Sequence, residues 1–181
     1  MAKTIGLTQT NKKYIEIHKF PQNIRHSAVL LYGQGISFYR IFRKSFGNGY
    51  KTIFGHDIPN MENLNACFTN FHFAVELLLK SLIYLKIDEQ QKTHNLIDLL
   101  STASQHYPNL LQIDQNIDYK LLLKELSDNF DTIRYCEGTI CLSPNKKQSW
   151  KSKKPLEELS EIMHNIFIIL DSTFQKETHQ N

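Results

Sequence analysis

His72, Glu76 and Lys80 step by four along one stretch of the chain. On a helix that spacing stacks three polar side chains on a single face, with Glu76 ahead of Lys80 in the favourable order for an ion pair. Two readings stand side by side. The stripe meets a phosphate or base through Lys80, with Glu76 orienting it, or it is an ordinary surface pair contributing about 0.2–0.5 kcal/mol. Arg134-Tyr135 sets a planar donor fork beside a ring, which suits a phosphate with a stacked base. An arginine at a helix end equally satisfies the last carbonyls and the dipole. His94, next to Thr93, faces a ligand if it opens a helix, where anions are favoured, and is otherwise a plain surface or packing residue. Lys146, Lys147, Lys151, Lys153 and Lys154 surround Trp150. Lysines neutralise phosphates and an exposed indole stacks on a base, so this segment is the best electrostatic candidate for RNA contact. Its bland alternative is a solvated loop with Trp150 docked on the fold.

Other constellations carry less. Asp114-x-Asn116-x-Asp118, with Glu125 beyond, mimics a calcium loop. Tyr119 stands where that loop needs glycine, and no metal is expected. Gly33-x-Gly35 follows no strand and precedes no phosphate-loop lysine, so it is not a nucleotide fingerprint. Cys67, Cys136 and Cys141 lack metal-ligand spacing and cannot all pair within one chain, which points to a reduced, cytoplasmic setting. No cofactor is implied.

The elements that must position these residues follow from periodicity. Ala28, Leu31, Tyr32, Gly35, Phe38 and Phe42 recur at three and four residues and predict a helix over about 25–45, stopped by Phe46-Gly47-Asn48-Gly49. Gly33 and Gly35 each weaken it by about 1 kcal/mol if mid-helix. Phe71, Val75, Leu78, Leu82 and Leu85, widened by Ala74, Leu77 and Leu79, predict a central helix over about 61–86, apolar on more than one side. Thr93 is the expected cap of a helix over about 94–105, and Asp118 of one running to about 135. Thr139 to Leu142 is briefly strand-like, so the lysine-rich segment reads as a loop or short hairpin. Pro155 opens the last helix, with Glu157 and Glu158 in its first turn and Leu159, Ile162, Met163, Ile166, Ile169 and Leu170 as its stripe. The expected architecture is an all-α antiparallel bundle of about five helices over 24–176, with a tail or arm at 1–23 and a short tail at 177–181.

The 181 residues, 22% charged and 41% hydrophobic, suit one globular domain with its own core. A formal net charge of +3 permits an anionic partner without demanding one. No run of 18 uninterrupted apolar residues appears, so no membrane span is expected.

The segment Asn70-Phe71-His72-Phe73-Ala74-Val75-Glu76-Leu77-Leu78-Leu79-Lys80 resembles the second helix of the HEPN family (higher eukaryotes and prokaryotes nucleotide-binding), an aromatic-rich stretch followed by Ala-x-Glu and an apolar run into Lys. Thr93-His94-Asn95-Leu96-Ile97-Asp98-Leu99 is similar to the family's His-x-Leu-x-x-Leu helix start. Phe130-Asp131-Thr132-Ile133-Arg134-Tyr135 resembles the segment that often ends Arg-Tyr-Pro, with Cys136 in place of proline. The nuclease members carry Arg, four to six residues, then His. Arg25, Arg40, Arg43 and Arg134 all lack a histidine at that offset.

The resemblance implies a helical bundle and a non-catalytic nucleotide- or RNA-binding module. Glu76, Lys80, His94, Arg134 and Tyr135 would form its site. It also implies a homodimer acting with a nucleotidyltransferase or another defence-system protein. Two alternatives remain: a divergent metal-independent ribonuclease or toxin of a toxin–antitoxin or defence system, with His72 or His94 as acid–base, and a bundle that only docks a protein.

Overall fold

The stripe of residues 28–42 winds onto one side of α1 (Ile24–Phe54), where Ala28, Tyr39, Phe42 and Phe46 are buried. The chain is described by a computed structural model over residues 24–54, 61–89, 91–135 and 155–179. The elements after α1 are α2 (Met61–Ile87), α3 (Leu96–Ser104), a 3-10 turn (Pro108–Leu110), α4 (Leu111–Gln115), α5 (Ile117–Asp128), α6 (Phe130–Tyr135) and α7 (Pro155–His179). Regular structure among the described residues is entirely helical.

α2 is the centre. Cys67, Phe71, Ala74, Val75, Leu78, Leu79, Leu82 and Ile83 are all buried, because α1, α3, α6 and α7 surround it. Cutting one of these leucines to alanine costs about 2–5 kcal/mol. The Asn65–Ile87 stretch is long and apolar enough to cross a membrane, yet it is mostly buried inside the fold, the condition of a core helix. Burial pushes the Cys67 thiol up to about 11, as expected of an inert core cysteine. The helix ends at Asp88, whose φ of 48° is the left-handed conformation of a helix stop.

α1 runs antiparallel to α2, with Gly35 against Ala74 and Leu78 and Phe42 against Phe71, ring centroids 5.2 Å apart. It also runs antiparallel to α7. Tyr32 stacks on Phe174 at 4.0 Å and donates to Asp171 at 2.5 Å, while Tyr39 stacks on Phe167 at 3.5 Å. Lys86 pairs with Glu177, tying the end of α2 to the end of α7.

Several sequence expectations are corrected. Phe46-Gly47-Asn48-Gly49 does not stop α1, which continues as helical backbone to Phe54. A glycine ends a helix by turning left-handed, and without that turn it is only a weak helix former. The cap of α3 is Asn95, not Thr93: its side chain accepts from the amides of Ile97 and Asp98, while Thr93 accepts from the Asn95 amide. Asn116, not Asp118, caps α5 through the amides of Asp118 and Tyr119. Asp114 meanwhile pairs with Lys120 at 2.7 Å, so the calcium-like spacing does other work. The helix read as continuous to 135 breaks at Asn129, whose side chain donates to the Glu125 carbonyl at 2.9 Å. Such a side-chain bond competes with the backbone ladder. α7 runs to His179, beyond the stripe that ends near Phe174.

Candidate functional site

Glu76 sits mid-helix on α2 and is 4% exposed. A carboxylate that deep must be paired or protonated. Its Oε1 accepts from Lys80 Nζ at 2.8 Å and lies 3.0 Å from Nδ1 of His94. Lys80 is 9% exposed, its stem packed along the helix and its ammonium turned back onto the acid one turn earlier. His72, one turn before Glu76, is fully buried, with Nδ1 3.7 Å from Glu76 Oε2. The reading of this stripe as a surface pair is therefore corrected: all three side chains face inward, toward the turn before α3 and the start of α6.

The residues just ahead of α3 bring His94 back to Glu76. The Asn95 cap fixes that turn, so His94 stands just ahead of the helix rather than inside it. Its side chain is 63% exposed. Nδ1 faces the buried carboxylate, which orients the ring from one side and leaves the other edge toward solvent.

The break at Asn129 does the rest. It starts a new short helix whose first residue, Phe130, lays its ring on His72 at 4.0 Å, tilted by 22°. The His94 ring lies 6.3 Å from the same Phe130 ring, and the Arg134 guanidinium, one turn on, is 5.9 Å from it. Phe73 meets Phe130 edge to face at 5.4 Å. Phe130 is thus the common surface on which His72, His94 and Arg134 converge.

Burial holds the His72 imidazole down to about 4, helped by the neighbouring His94 and Lys80 and opposed by Glu76. It is neutral near pH 7. Neither ring nitrogen has a hydrogen-bond partner, and neither does Glu76 Oε2, although that carboxylate and the His94 backbone face the ring. Groups so placed carry a desolvation cost. His72 Nδ1 and Glu76 Oε2, both left wanting, face each other at the floor of the site.

Glu76, Lys80, His94 and Arg134, singled out in the sequence, are brought together. Tyr135 ends α6, and its side chain lies outside the described residues. Lys146, Lys147, Trp150, Lys151, Lys153 and Lys154 lie outside them as well, as does the proposed hairpin. Phe130 and the buried role of His72 were missed. Phe130 stands four residues before Arg134, so a shared helix face was a usable signal; the floor position of His72 had none, because it depends on the break at Asn129. Among the described residues no group of His, Cys, Asp and Glu could hold a metal ion.

Comparison with the curated proteins and with the solved structures gives no match. A family model described as HEPN domain matches residues 59–170, a span that contains His72, Glu76, Lys80, His94, Phe130 and Arg134. With the helical bundle and three sequence segments in the family's order, that match places the chain in the HEPN domain family.

Proposed function

We propose that this chain is a non-catalytic nucleotide- or RNA-binding HEPN module, working as a homodimer with a nucleotidyltransferase or another defence-system protein. One observation supports the reading above others: His94 and Arg134 both approach the Phe130 ring, and His94 is held there by the buried Glu76–Lys80 pair. Arg134 and His94 are the exposed members. Arg134 supplies the planar donor fork for a phosphate, and His94, held by Glu76, supplies a second donor. Lys80 pairs with Glu76 from below.

Fluorescence titration with a mononucleotide and a short RNA, at two salt concentrations, tests this. Wild-type protein binds both more weakly at higher salt, and Arg134→Ala weakens binding about tenfold or more. No binding by the wild type, or binding indifferent to Arg134→Ala, overturns the reading.

A second reading is favoured by the His94–Glu76 geometry. A carboxylate on Nδ1 and an open far edge is the arrangement of an oriented general base, which suits a divergent ribonuclease or toxin. Chelator-insensitive RNA cleavage that is lost in His94→Ala would establish it, and inertness toward diverse RNAs would remove it.

A further inference from the structure

The seam between α1 and α7 carries a second polar cluster, separate from the one around Glu76. Tyr39 and Arg43 stand one turn apart on α1, as Ser160 and His164 do on α7. The antiparallel helices join them in two rungs. The Tyr39 hydroxyl lies 2.7 Å from His164 Nδ1, and the Arg43 guanidinium reaches the Ser160 hydroxyl at 3.4 Å. The rungs are neighbours, because the Arg43 charge acts on the Tyr39 phenol. Arg40 faces the same seam: its charge acts on Tyr32, which is hydrogen-bonded to Asp171 of α7.

The groups of this cluster have donors to spare. Tyr39 is buried, and that burial raises its phenol, opposed by Arg43, so the phenol keeps its proton near pH 7. A buried hydroxyl places its proton on the acceptor at hand, which here is His164 Nδ1. The ring proton of neutral His164 then sits on Nε2, a nitrogen with no hydrogen bond among the described residues. Arg43 is exposed and makes no ion pair among the described residues. Its 3.4 Å contact with Ser160 is long for such a bond, and a serine that accepts still has a proton to give. The nearest acids along α7 are Glu157, Glu158 and Glu161. The Glu157 side chain lies outside the described residues. Glu158 and Glu161 make no ion pair among them and stand about 160° and 100° round the helix from Ser160.

We infer that Arg43, Ser160 and His164 form a binding site for a terminal phosphate group, carried by a small phosphate monoester. A set of N–H and O–H donors without an acidic member selects a ligand made of acceptors. The planar guanidinium takes two phosphate oxygens, and His164 Nε2–H and the Ser160 hydroxyl take the third. A carboxylate, or a phosphodiester, has no third free oxygen to offer. Tyr39 is a positioning residue that fixes the His164 ring. α1 lies outside residues 59–170, so the Arg43 half of the site is not part of the matched domain. The inference is independent of the nucleotide site at Arg134 and His94.

Titration of the full chain with inorganic phosphate, phenyl phosphate, dimethyl phosphate and acetate at fixed ionic strength tests it, followed by the side-chain nitrogen NMR signals of histidine and arginine. Inorganic and phenyl phosphate should move the His164 Nε2 and Arg43 Nε signals together and to saturation. Dimethyl phosphate and acetate should bind about tenfold more weakly. Arg43→Gln changes an exposed side chain, so it should melt with the wild type while losing phosphate affinity about tenfold or more, and Arg43→Lys should recover only part of it. Tyr39→Phe should keep the Arg43 response and weaken that of His164. Arg134→Ala should change nothing here. Absence of a saturating shift at His164 and Arg43 overturns the site, as does equal affinity for dimethyl phosphate or acetate, or unchanged phosphate affinity in Arg43→Gln. Phosphate binding lost in Arg134→Ala but kept in Arg43→Gln also overturns it and assigns the anion to the site beside Phe130.

Discussion

Oε1 of Glu76 lies 3.0 Å from Nδ1 of His94, although the two residues are 18 positions apart and belong to a mid-helix turn and a loop. The same oxygen takes the Lys80 ammonium at 2.8 Å. One buried atom therefore ties α2 to the turn before α3 and to the exposed ring of His94.

Removing the charge at Glu76 should be costly. Glu76→Gln leaves Lys80 buried without a carboxylate, an error of about 3–5 kcal/mol for a broken buried pair. Urea unfolding reads this as a lower midpoint with an unchanged slope. Lys80→Met combined with Glu76→Leu replaces the pair by apolar groups and should lose less than the two single changes summed. Additive losses would show that the two side chains do not act as a unit.

Stability should fall on mild acidification because of His72. Its folded value is about 4 against an ordinary 6.5, so between those values the unfolded chain takes up a proton that the folded chain refuses. The stabilisation is complete above about 6.5 and is lost as pH falls toward 4, in total on the order of 3 kcal/mol. His72→Phe keeps a ring against Phe130 and removes the titration. Unfolding curves at several pH values should therefore be flatter for the variant across this window. An equally steep fall in the variant would place the effect elsewhere.

Two glycines on α1 should respond oppositely. A Cβ on Gly35 would stand 3.0 Å from Leu78 Cγ and 3.2 Å from the Ala74 carbonyl oxygen. Because the second neighbour is backbone, Gly35→Ala should force α1 and α2 apart and cost about 1–3 kcal/mol. A Cβ on Gly33 meets nothing within 4 Å, so Gly33→Ala should stabilise by about 0.5–1 kcal/mol. Thermal midpoints that shift in the same direction would contradict the close approach at Gly35.

The Asn95 cap should matter to both the fold and the site. Asn95→Ala removes the acceptor for the Ile97 and Asp98 amides, at about 1 kcal/mol. Hydrogen exchange at those two amides should quicken, and nucleotide affinity should fall because His94 loses its fixed turn. Unchanged exchange would mean that another group caps α3.

Much of the fold was legible in the residue pattern. The stripes from Ala28 to Phe42, from Phe71 to Leu85 and from Leu159 to Leu170 each have helical period, and each became the buried side of a helix. Helix ends were harder to read. Whether Gly47 and Gly49 stop a helix, or whether Thr93 or Asn95 caps one, depends on small local energies that packing around Phe46 and Leu96 outweighs.

By itself the sequence determined the all-helical class and the family segments, and it singled out Glu76, Lys80, His94 and Arg134 as candidates, because periodicity and residue type are local properties. Tertiary structure alone decided that the stripe of His72, Glu76 and Lys80 faces inward and that His94 and Arg134 both approach Phe130. Those outcomes depend on the turn fixed by Asn95 ahead of α3 and on the break at Asn129. Such long-range placements come from the sum of packing across the bundle, which no short window of residues contains.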